Sequence, residues 1–296
     1  MELNKILDYA IMADETTKKP ELKSGYIVTG KPYNNYLSND SFAEFVEDMK
    51  ANNPIAYEMY GKGGGKELEE RKVGKNIYPP KMASFGSSSR MIYNLLKDVD
   101  GFLFEKKLPT IVGGIANLDG FMETEEKCIF VEAKCREPYT AKDGIIERKY
   151  EDLYKAITLS DKTAVACDIK VIDERKMEIK FVSDNTEIHS FDMKQMISHL
   201  LGVATAFLKG EFEIKQIDFV YLLFNPKLIE FKEGKLEIHH IYEQTCNECN
   251  SVDFKALFEV VVDYLQTVKG VGKDKSKSDI VNNFTFRLCD QSNIKI

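Results

Sequence analysis

The chain has 296 residues, of which 43% are hydrophobic and 30% charged, and its formal net charge is −7. This composition is typical of a globular protein, and the acidic balance argues against a protein that coats nucleic acid regardless of sequence, while local basic patches can still bind phosphate. No stretch approaches the roughly 18 apolar residues that cross a bilayer, and the first residues lack the layout of a signal peptide. We therefore expect a cytoplasmic protein.

The N-terminal region is predicted to be an extension of helices and loops. We expect a short helix at 1–14, a loop with short extended pieces at 15–40, and a helix at 41–51 with Ser41 as its N-cap. The glycine-rich run at 61–65 predicts a flexible loop. It is not a phosphate-binding P-loop, because its lysines have the wrong spacing and no apolar strand precedes it.

Two local basic patches interrupt the acidic chain. Residues 61–81 carry six basic and three acidic side chains, and residues 269–277 carry four lysines and Asp274. Each patch is interpreted either as a solvated loop or as a surface that binds phosphate.

A helix is predicted from the serines at 87–89 to about Asp98. Its apolar residues recur at helical spacing, and the serines suit the N-cap position. A helix N-terminus can also bind phosphate, so capping and phosphate binding are the two interpretations of these serines.

The next element is a predicted β-hairpin that gathers acidic and basic residues. Two β-rich runs at 115–122 and 128–135 flank a polar connection, and a turn centred between Glu125 and Glu126 sets Asp119 opposite Glu132. Side chains alternate between faces along a strand, so one face is expected to be polar and the other apolar. The polar face is predicted to consist of Asn117, Asp119, Phe121, Phe130, Glu132 and Lys134. The apolar face is predicted to consist of Ala116, Leu118, Met122, Ile129, Val131, Ala133 and Cys135.

The set of Asp119, Glu132 and Lys134 suits hydrolysis of a phosphodiester. Two carboxylates a few ångströms apart repel each other, and a divalent cation relieves that repulsion. Mg²⁺ binds through one or two carboxylates and can activate a water molecule, while a nearby lysine can offset charge in the transition state. The alternative is a turn aspartate beside a surface salt bridge. The charges interrupt the apolar run at 129–133, and buried charges need a partner or a metal, so the site is favoured.

The pattern of Asp119 followed by Glu132-Ala133-Lys134 resembles the signature of the PD-(D/E)XK nuclease superfamily, although Leu118 stands where that signature has proline. The resemblance extends over about 79–225. It implies a restriction-endonuclease-like fold, with Asp119, Glu132 and the Ala133 carbonyl as ligands of Mg²⁺ or Mn²⁺. Lys134 would then be the catalytic lysine.

The resemblance suggests further residues near this site. Many members add a glutamate from the helix before the hairpin, and Glu105 is the candidate here. In part of the superfamily a glutamine on the helix behind the catalytic strands approaches the site, a position that suits Gln195 with His199 one turn later. The alternative is a capping box for Gln195, in a helix at 192–209, and an ordinary half-buried histidine for His199. Residues 79–90 also resemble an uncharacterised bacterial branch of the superfamily.

The remaining elements follow from apolar periodicity and turn residues. They are predicted as a helix at 144–158, an inserted hairpin at 163–183, a buried strand at 216–224, a strand at 235–243, a helix at 253–268 and a mobile polar tail from 269.

The six cysteines are expected to be reduced thiols, because no signal peptide precedes them. Cys246 and Cys249, with His239 and His240 nearby, raise a structural zinc site as an alternative. Adjacent residues of a strand point to opposite faces, so only one of these histidines could join such a site.

The sequence therefore predicts an α/β protein with a restriction-endonuclease-like core, in which helices flank a mixed central β-sheet. Residues 1–78 would form the extension, 79–226 the nuclease-like core and 227–296 a C-terminal strand and helix. The predicted function is metal-dependent cleavage of DNA. Three points stay open: whether RNA is also a substrate, whether the enzyme is an endonuclease or an exonuclease, and whether it forms a homodimer. The rivals are a non-catalytic nucleic-acid- or protein-binding module on this fold and a regulatory module with a coincidental Glu-x-Lys.

Overall fold

The computed structural model describes residues 24–62, 67–136, 138, 144–184, 186–226, 235–294 and 296. The helix expected at 1–14 lies outside these residues. The strands are β1 (Ser24–Val28), β2 (Lys31–Leu37), β3 (Arg71–Val73), β4 (Asn76–Tyr78), β5 (Leu103–Pro109), β6 (Ile115–Glu123), β7 (Lys127–Lys134), β8 (Ile145–Glu147), β9 (Val165–Val171), β10 (Lys176–Ser183), β11 (Thr186–Ile188), β12 (Gln216–Leu223) and β13 (Phe284–Cys289). The α-helices are α1 (Asn39–Asn52), α2 (Pro54–Lys62), α3 (Ser88–Leu96), α4 (Glu151–Leu159), α5 (Met193–Leu208), α6 (Lys235–Asn250), α7 (Phe254–Thr267) and α8 (Lys277–Asn282).

A mixed five-stranded sheet forms the centre, in the order β13-β12-β7-β6-β5. Strand β6 runs antiparallel to both of its neighbours, β5 and β7, whereas β12 runs parallel to β7 and β13 runs parallel to β12. The expected α/β class with a mixed central sheet and flanking helices is confirmed. Strand β7 lies in the middle of the sheet and is buried on both faces, which explains its near-continuous apolar run.

Each face of the sheet is covered by its own hydrophobic core. The α3-side core joins β7 and β12 to the three helices α1, α2 and α3, and it includes Phe42, Phe45, Tyr60, Met91, Ile129, Val131 and Val220. The α5-side core joins the other face to α4, α5 and α7, and it includes Phe130, Leu153, Ile197, Leu201, Phe219, Leu257 and Phe258. The N-terminal helices therefore pack directly onto the central sheet.

A second, smaller sheet is formed by β8, β9, β10 and β11 around β10. Strands β9 and β10 form the antiparallel hairpin expected at 163–183. The helix expected at 144–158 begins later than predicted. Ile145–Glu147 instead pairs with β10 as β8, and α4 follows after a 3-10 turn, so the apolar residues of this stretch serve two elements.

The C-terminal predictions were partly wrong. The strand expected at 235–243 is part of helix α6, since short apolar runs do not distinguish strand from helix. Its inward residues recur at helical spacing, namely Ile238, Ile241, Tyr242, Thr245 and Cys249. The expected mobile tail contains α8 and the edge strand β13, where the rings of Phe284 and Phe286 stack on those of Phe258 and Phe254 with centroids 4.2 and 3.9 Å apart.

The helix ends follow capping rules. Helix α1 begins after Ser38, whose hydroxyl accepts from the Ser41 amide, so Ser38 is the N-cap and the expectation for Ser41 was wrong by one turn. Ser87 caps α3 and Asp192 caps α5 as predicted. In α5, Gly202 permits close packing: a Cβ atom there would lie 2.6 Å from the Cβ of Ala116.

Candidate functional site

The hairpin of β6 and β7 has the register predicted from its turn. Gly120 pairs with Val131 and Phe121 with Phe130, so one further step along the ladder sets Asp119 opposite Glu132. Asp119 Oδ2 accepts a hydrogen bond of 2.8 Å from the Ala133 amide. The aspartate carboxylate therefore lies against the main chain that joins Glu132 to Lys134.

The predicted apolar face of this hairpin was wrong at one end. Ala116 and Leu118 belong to the α5-side core with Phe121 and Phe130, whereas Ile129, Val131, Ala133 and Cys135 belong to the α3-side core. Both Leu118 and Phe121 thus pack on the α5 side, so the alternation of side chains breaks between them. Asp119 therefore lies where the side chains of β6 switch from one face of the sheet to the other.

The neighbouring strand changes faces at the same level. Glu105 lies between Phe104, which pairs with Gly120, and Lys106, which pairs with Leu118. Its φ of 58° is in the left-handed region that costs free energy for a residue with a Cβ atom. Such strained positions cluster at functional sites, and this one lies beside Asp119.

Glu105 does not come from a helix, as the resemblance would have it, but from strand β5. Burial raises the pKa of its carboxyl to about 7, and the charges of Asp119 and Glu67 add to this effect, while Lys81 and Lys107 oppose it. Three carboxylates thus interact electrostatically across one region, which is the situation that a bound cation would relieve.

Glu132 lies at the centre of a buried polar network. Lys134 Nζ and Gln195 Nε2 both donate to Glu132 Oε1, the second bond being 2.8 Å long. Gln195 lies in the first turn of α5, so its side chain reaches the sheet. Its main-chain N–H donates a hydrogen bond to the side chain of Asp192, the N-cap of the helix. The Gln195 side chain thus contacts Glu132, while its main chain takes part in the Asp192 cap.

His199, one turn further along α5, is buried beside the same glutamate. Its Nε2 atom lies 3.4 Å from Glu132 Oε2, and its ring packs near Phe219. Burial, together with the nearby charge of Lys134, lowers the pKa of His199 to about 3. A neutral imidazole therefore fills the space behind Glu132.

These residues open into a cleft of about 700 Å³. The strand wall of the cleft is contributed by Glu105, Lys107, Asn117, Asp119, Glu132, Lys134 and Arg136, with Gln195 from α5. The N-terminal wall is contributed by Tyr36, Glu67, Arg71, Lys81, Ser84 and the segment from Gly86 to Ser89. All the predicted site residues except Ala133, whose side chain is in the α3-side core, therefore line one cleft.

The N-terminal wall was not predicted as part of the site. Glu67 is 4% exposed, and its Oε1 atom receives a 2.8 Å bond from Lys81 Nζ. Arg71 and Lys81 belong to the basic patch at 61–81, so that patch contributes two cations to the cleft. The run of charged residues predicted the basic patch, but no local sequence pattern predicts that it lies opposite the strand wall.

The second basic patch is engaged elsewhere. Lys277 pairs with Glu259 and Asp263 on α7 at 2.9 and 2.8 Å, and Lys269 lies 3.9 Å from Asp152. Lys269 and Lys277 thus offset acidic side chains of the neighbouring helices.

The serines at 87–89 combine two features. Ser87 Oγ accepts from the Arg90 amide at 3.2 Å, which is the capping role. The three serines also line the cleft, so the N-terminus of α3 is open to it. Tyr60, fully buried, donates to the Ser89 carbonyl at 3.1 Å and ties α2 to this segment.

The carboxylates of the site are the candidate ligands for a metal ion. Among the described residues no group of three or more His, Cys, Asp or Glu side chains is arranged to hold a metal. Asp119 and Glu132 with a main-chain carbonyl still match what Mg²⁺ requires, since it binds through one or two carboxylates and keeps several waters. The residues therefore fit an oxygen-liganded Mg²⁺ or Mn²⁺ and not a closed structural site.

The zinc alternative has no support in the part of the chain that the structure describes. His239 and His240 lie on helix α6 and not on a strand, and no metal-binding group includes Cys246 or Cys249. All six cysteines carry free thiols.

No protein-family model, no curated protein and no solved structure matches this chain. Within the described residues, none of the helices combines the length and the apolar character needed to cross a membrane.

Proposed function

We propose that this protein is a metal-dependent nuclease that hydrolyses phosphodiester bonds of DNA. The observation that carries the proposal is the position of Asp119 opposite Glu132, with Lys134 beside them, in a single cleft of about 700 Å³. A coincidental Glu-x-Lys would leave these side chains on a flat exposed face, whereas Glu132 and Lys134 are buried at the cleft floor.

The order of elements supports the resemblance to the PD-(D/E)XK superfamily. That core requires a helix, a hairpin, a helix and a strand in sequence, and α3, β6–β7, α5 and β12 follow in this order. The strand β12 also lies beside β7 and parallel to it. The restriction-endonuclease-like fold is part of this proposal.

Asp119 and Glu132 would hold the metal, with the Ala133 carbonyl as a third ligand by resemblance. When bound, the ion would supply activation of a water molecule and neutralisation of charge on the phosphate. The Ala133 amide orients Asp119 through the 2.8 Å bond to Oδ2, and Gln195 orients Glu132 through the 2.8 Å bond to Oε1. Both carboxylates are thus fixed before substrate arrives, which reduces reorganisation in the reaction.

Lys134 would stabilise the developing negative charge on the phosphate. Its ammonium group is buried, donates to Glu132 and lies on the cleft floor, where low polarity strengthens its interaction with an anion. Arg71, Lys81 and Arg136 would contact flanking phosphates from the two walls and position the strand without reading its sequence.

The direct test is cleavage of linear and circular plasmid DNA with millimolar Mg²⁺ or Mn²⁺, and again with a chelator. The expected result is metal-dependent cutting, with nicking of circles if the enzyme is an endonuclease. A single-stranded RNA substrate in parallel distinguishes the two nucleic acids. If neither nucleic acid is cut and calorimetry detects no Mn²⁺ binding, the nuclease proposal is wrong and the non-catalytic module on this fold is favoured.

A further inference from the structure

A second pocket adjoins the cleft at Gln195. This side pocket has a volume of about 410 Å³ and lies between β8, α4 and the start of α5. Its lining includes Ile145, Tyr150, Asp192, Lys194, Gln195 and Ser198. Gln195 lines both spaces and donates to Glu132 at 2.8 Å. A group in the side pocket would therefore lie one side chain away from the proposed metal ligands.

The walls of the side pocket combine flat apolar groups with polar ones. Tyr150 is half-buried, and Ile145 leaves 41% of its surface exposed, so both offer apolar surface to the pocket. Asp192 and Ser198 add hydrogen-bonding groups, Lys194 adds a positive charge and Glu147 adds a negative one. A nucleobase has apolar faces that stack on aromatic rings and a polar edge that forms hydrogen bonds, so its chemistry matches both kinds of wall.

Tyr150 is held in place by the tip of the β5–β6 hairpin. A Cβ atom at Gly114 would lie 2.3 Å from the Tyr150 hydroxyl oxygen, so this glycine is what allows the ring to pack there. The tip itself is fixed by the Thr110 hydroxyl, which bonds to both the amide and the carbonyl of Gly114 at 3.0 and 3.1 Å. An aromatic ring fixed beforehand costs little entropy when a base stacks on it.

We propose that the side pocket binds one nucleobase of the strand whose phosphate occupies the cleft. This inference rests on the proposed function and narrows its substrate class. A base inside a duplex is stacked and paired, so the enzyme would act on single-stranded DNA or on a base that leaves the duplex.

The test is binding of single-stranded oligonucleotides in the presence of a chelator, so that no cleavage occurs. A first set of oligonucleotides carries one 2-aminopurine each, at a different position in each member. The fluorescence of this base falls when it stacks on an aromatic ring. A second set carries one abasic site at each position. We expect quenching at one position, and about tenfold weaker binding when that position is abasic, because one base stacked on an aromatic ring accounts for roughly that factor.

Variants at two positions, Ser198 and Tyr150, locate the effect. Ser198→Leu fills the pocket while leaving Tyr150 in place, and it should abolish the quenching at that position, whereas Ser198→Ala should keep it. Tyr150→Phe should also keep it, and Tyr150→Ala should lose it. Thermal unfolding identifies variants that fail to fold, and the two Ser198 variants make the test independent of Tyr150→Ala.

The outcomes separate this inference from the nuclease proposal. Plasmid cleavage together with equal binding of every abasic oligonucleotide, or with unchanged quenching in Ser198→Leu, would overturn the side pocket alone. Position-specific quenching that Ser198→Leu removes, without any cleavage in Mg²⁺, would support the pocket and overturn the nuclease. If no oligonucleotide binds, the pocket proposal is wrong.

Discussion

The two walls of the cleft are built in different ways. The strand wall consists of side chains on β5, β6 and β7, held by ladder hydrogen bonds and by burial on both faces of the sheet. The N-terminal wall consists of Glu67, Lys81 and their neighbours, which lie in turns and short strands and reach the sheet through the packing of α1 and α2. The strand wall carries the proposed chemistry, and the N-terminal wall carries cations suited to holding substrate. The groups that need the most exact positions therefore lie on the hydrogen-bonded strands of the central sheet.

The strand wall should show the largest effect. Lys134→Ala should lower the rate of DNA cleavage at least about 100-fold, because it removes the charge that stabilises the transition state in a buried site. Metal binding should persist. Lys127→Ala, the same change at the half-buried start of the same strand and outside the cleft lining, is the matched control and should leave the rate unchanged. Equal cleavage rates for the two variants would contradict the catalytic role proposed for Lys134.

Glu105 provides a test of electrostatics on the strand wall. Its pKa is raised to about 7 by burial and neighbouring carboxylates, so between pH 4.5 and 7 the folded state holds a proton that the unfolded state has lost. The stability of the protein should therefore fall as pH rises through this window, by at most about 3 kcal/mol from this residue.

Glu105→Gln should remove that loss, making the variant more stable than the wild type at pH 8 but not at pH 4.5. Urea unfolding in the presence of a chelator measures the difference. Glu125→Gln, at an exposed position in the hairpin turn, is the control. A constant difference between Glu105→Gln and wild type across this range would show that the pKa of Glu105 is not raised in the folded protein.

The support behind the strand wall can be tested at Gly202. Gly202→Ala places a Cβ atom 2.6 Å from that of Ala116 and 3.2 Å from that of Leu108, so α5 must shift away from β5 and β6. We expect a loss of about 2 kcal/mol in unfolding free energy, measured with urea. Gly61→Ala, in α2 with open space around it, should instead stabilise the protein by roughly 0.5–1 kcal/mol. A gain in stability at both positions would contradict the close packing of α5.

The N-terminal wall should show the smallest effect. Lys81→Ala should raise the KM for DNA about fivefold and leave kcat nearly unchanged, because a phosphate contact binds ground state and transition state alike. It should also make binding less sensitive to salt. Lys72→Ala, an exposed lysine of the same patch outside the cleft lining, is the control. A loss of kcat as large as that of Lys134→Ala would mean that the two walls share the chemistry.

The same contrast explains which parts of the site the sequence revealed. The register of Asp119 and Glu132 follows from strand alternation and a short turn, both of which are local rules. The face change at Glu105 coincides with a positive φ that its residue type does not indicate. The contribution of Glu67 depends on packing between segments far apart in the chain.

The fold shows the same limits. Helices with clear caps and apolar stripes, such as α3, α5 and α7, were predicted close to their observed bounds. Strand β13 was missed because its short alternating stretch is flanked by polar residues, and only pairing with β12 stabilises it. Helix α6 was predicted as a strand over 235–243, where the apolar residues fit either period.

The most direct test of the account is calorimetric titration of Mn²⁺ into the wild-type protein and into Asp119→Ala. The account predicts one oxygen-liganded site that the wild type binds with millimolar or tighter affinity and that the variant has lost, since Asp119 would supply one of its carboxylates. Equal heats of binding in the two proteins, or none in the wild type, would contradict a metal held between Asp119 and Glu132.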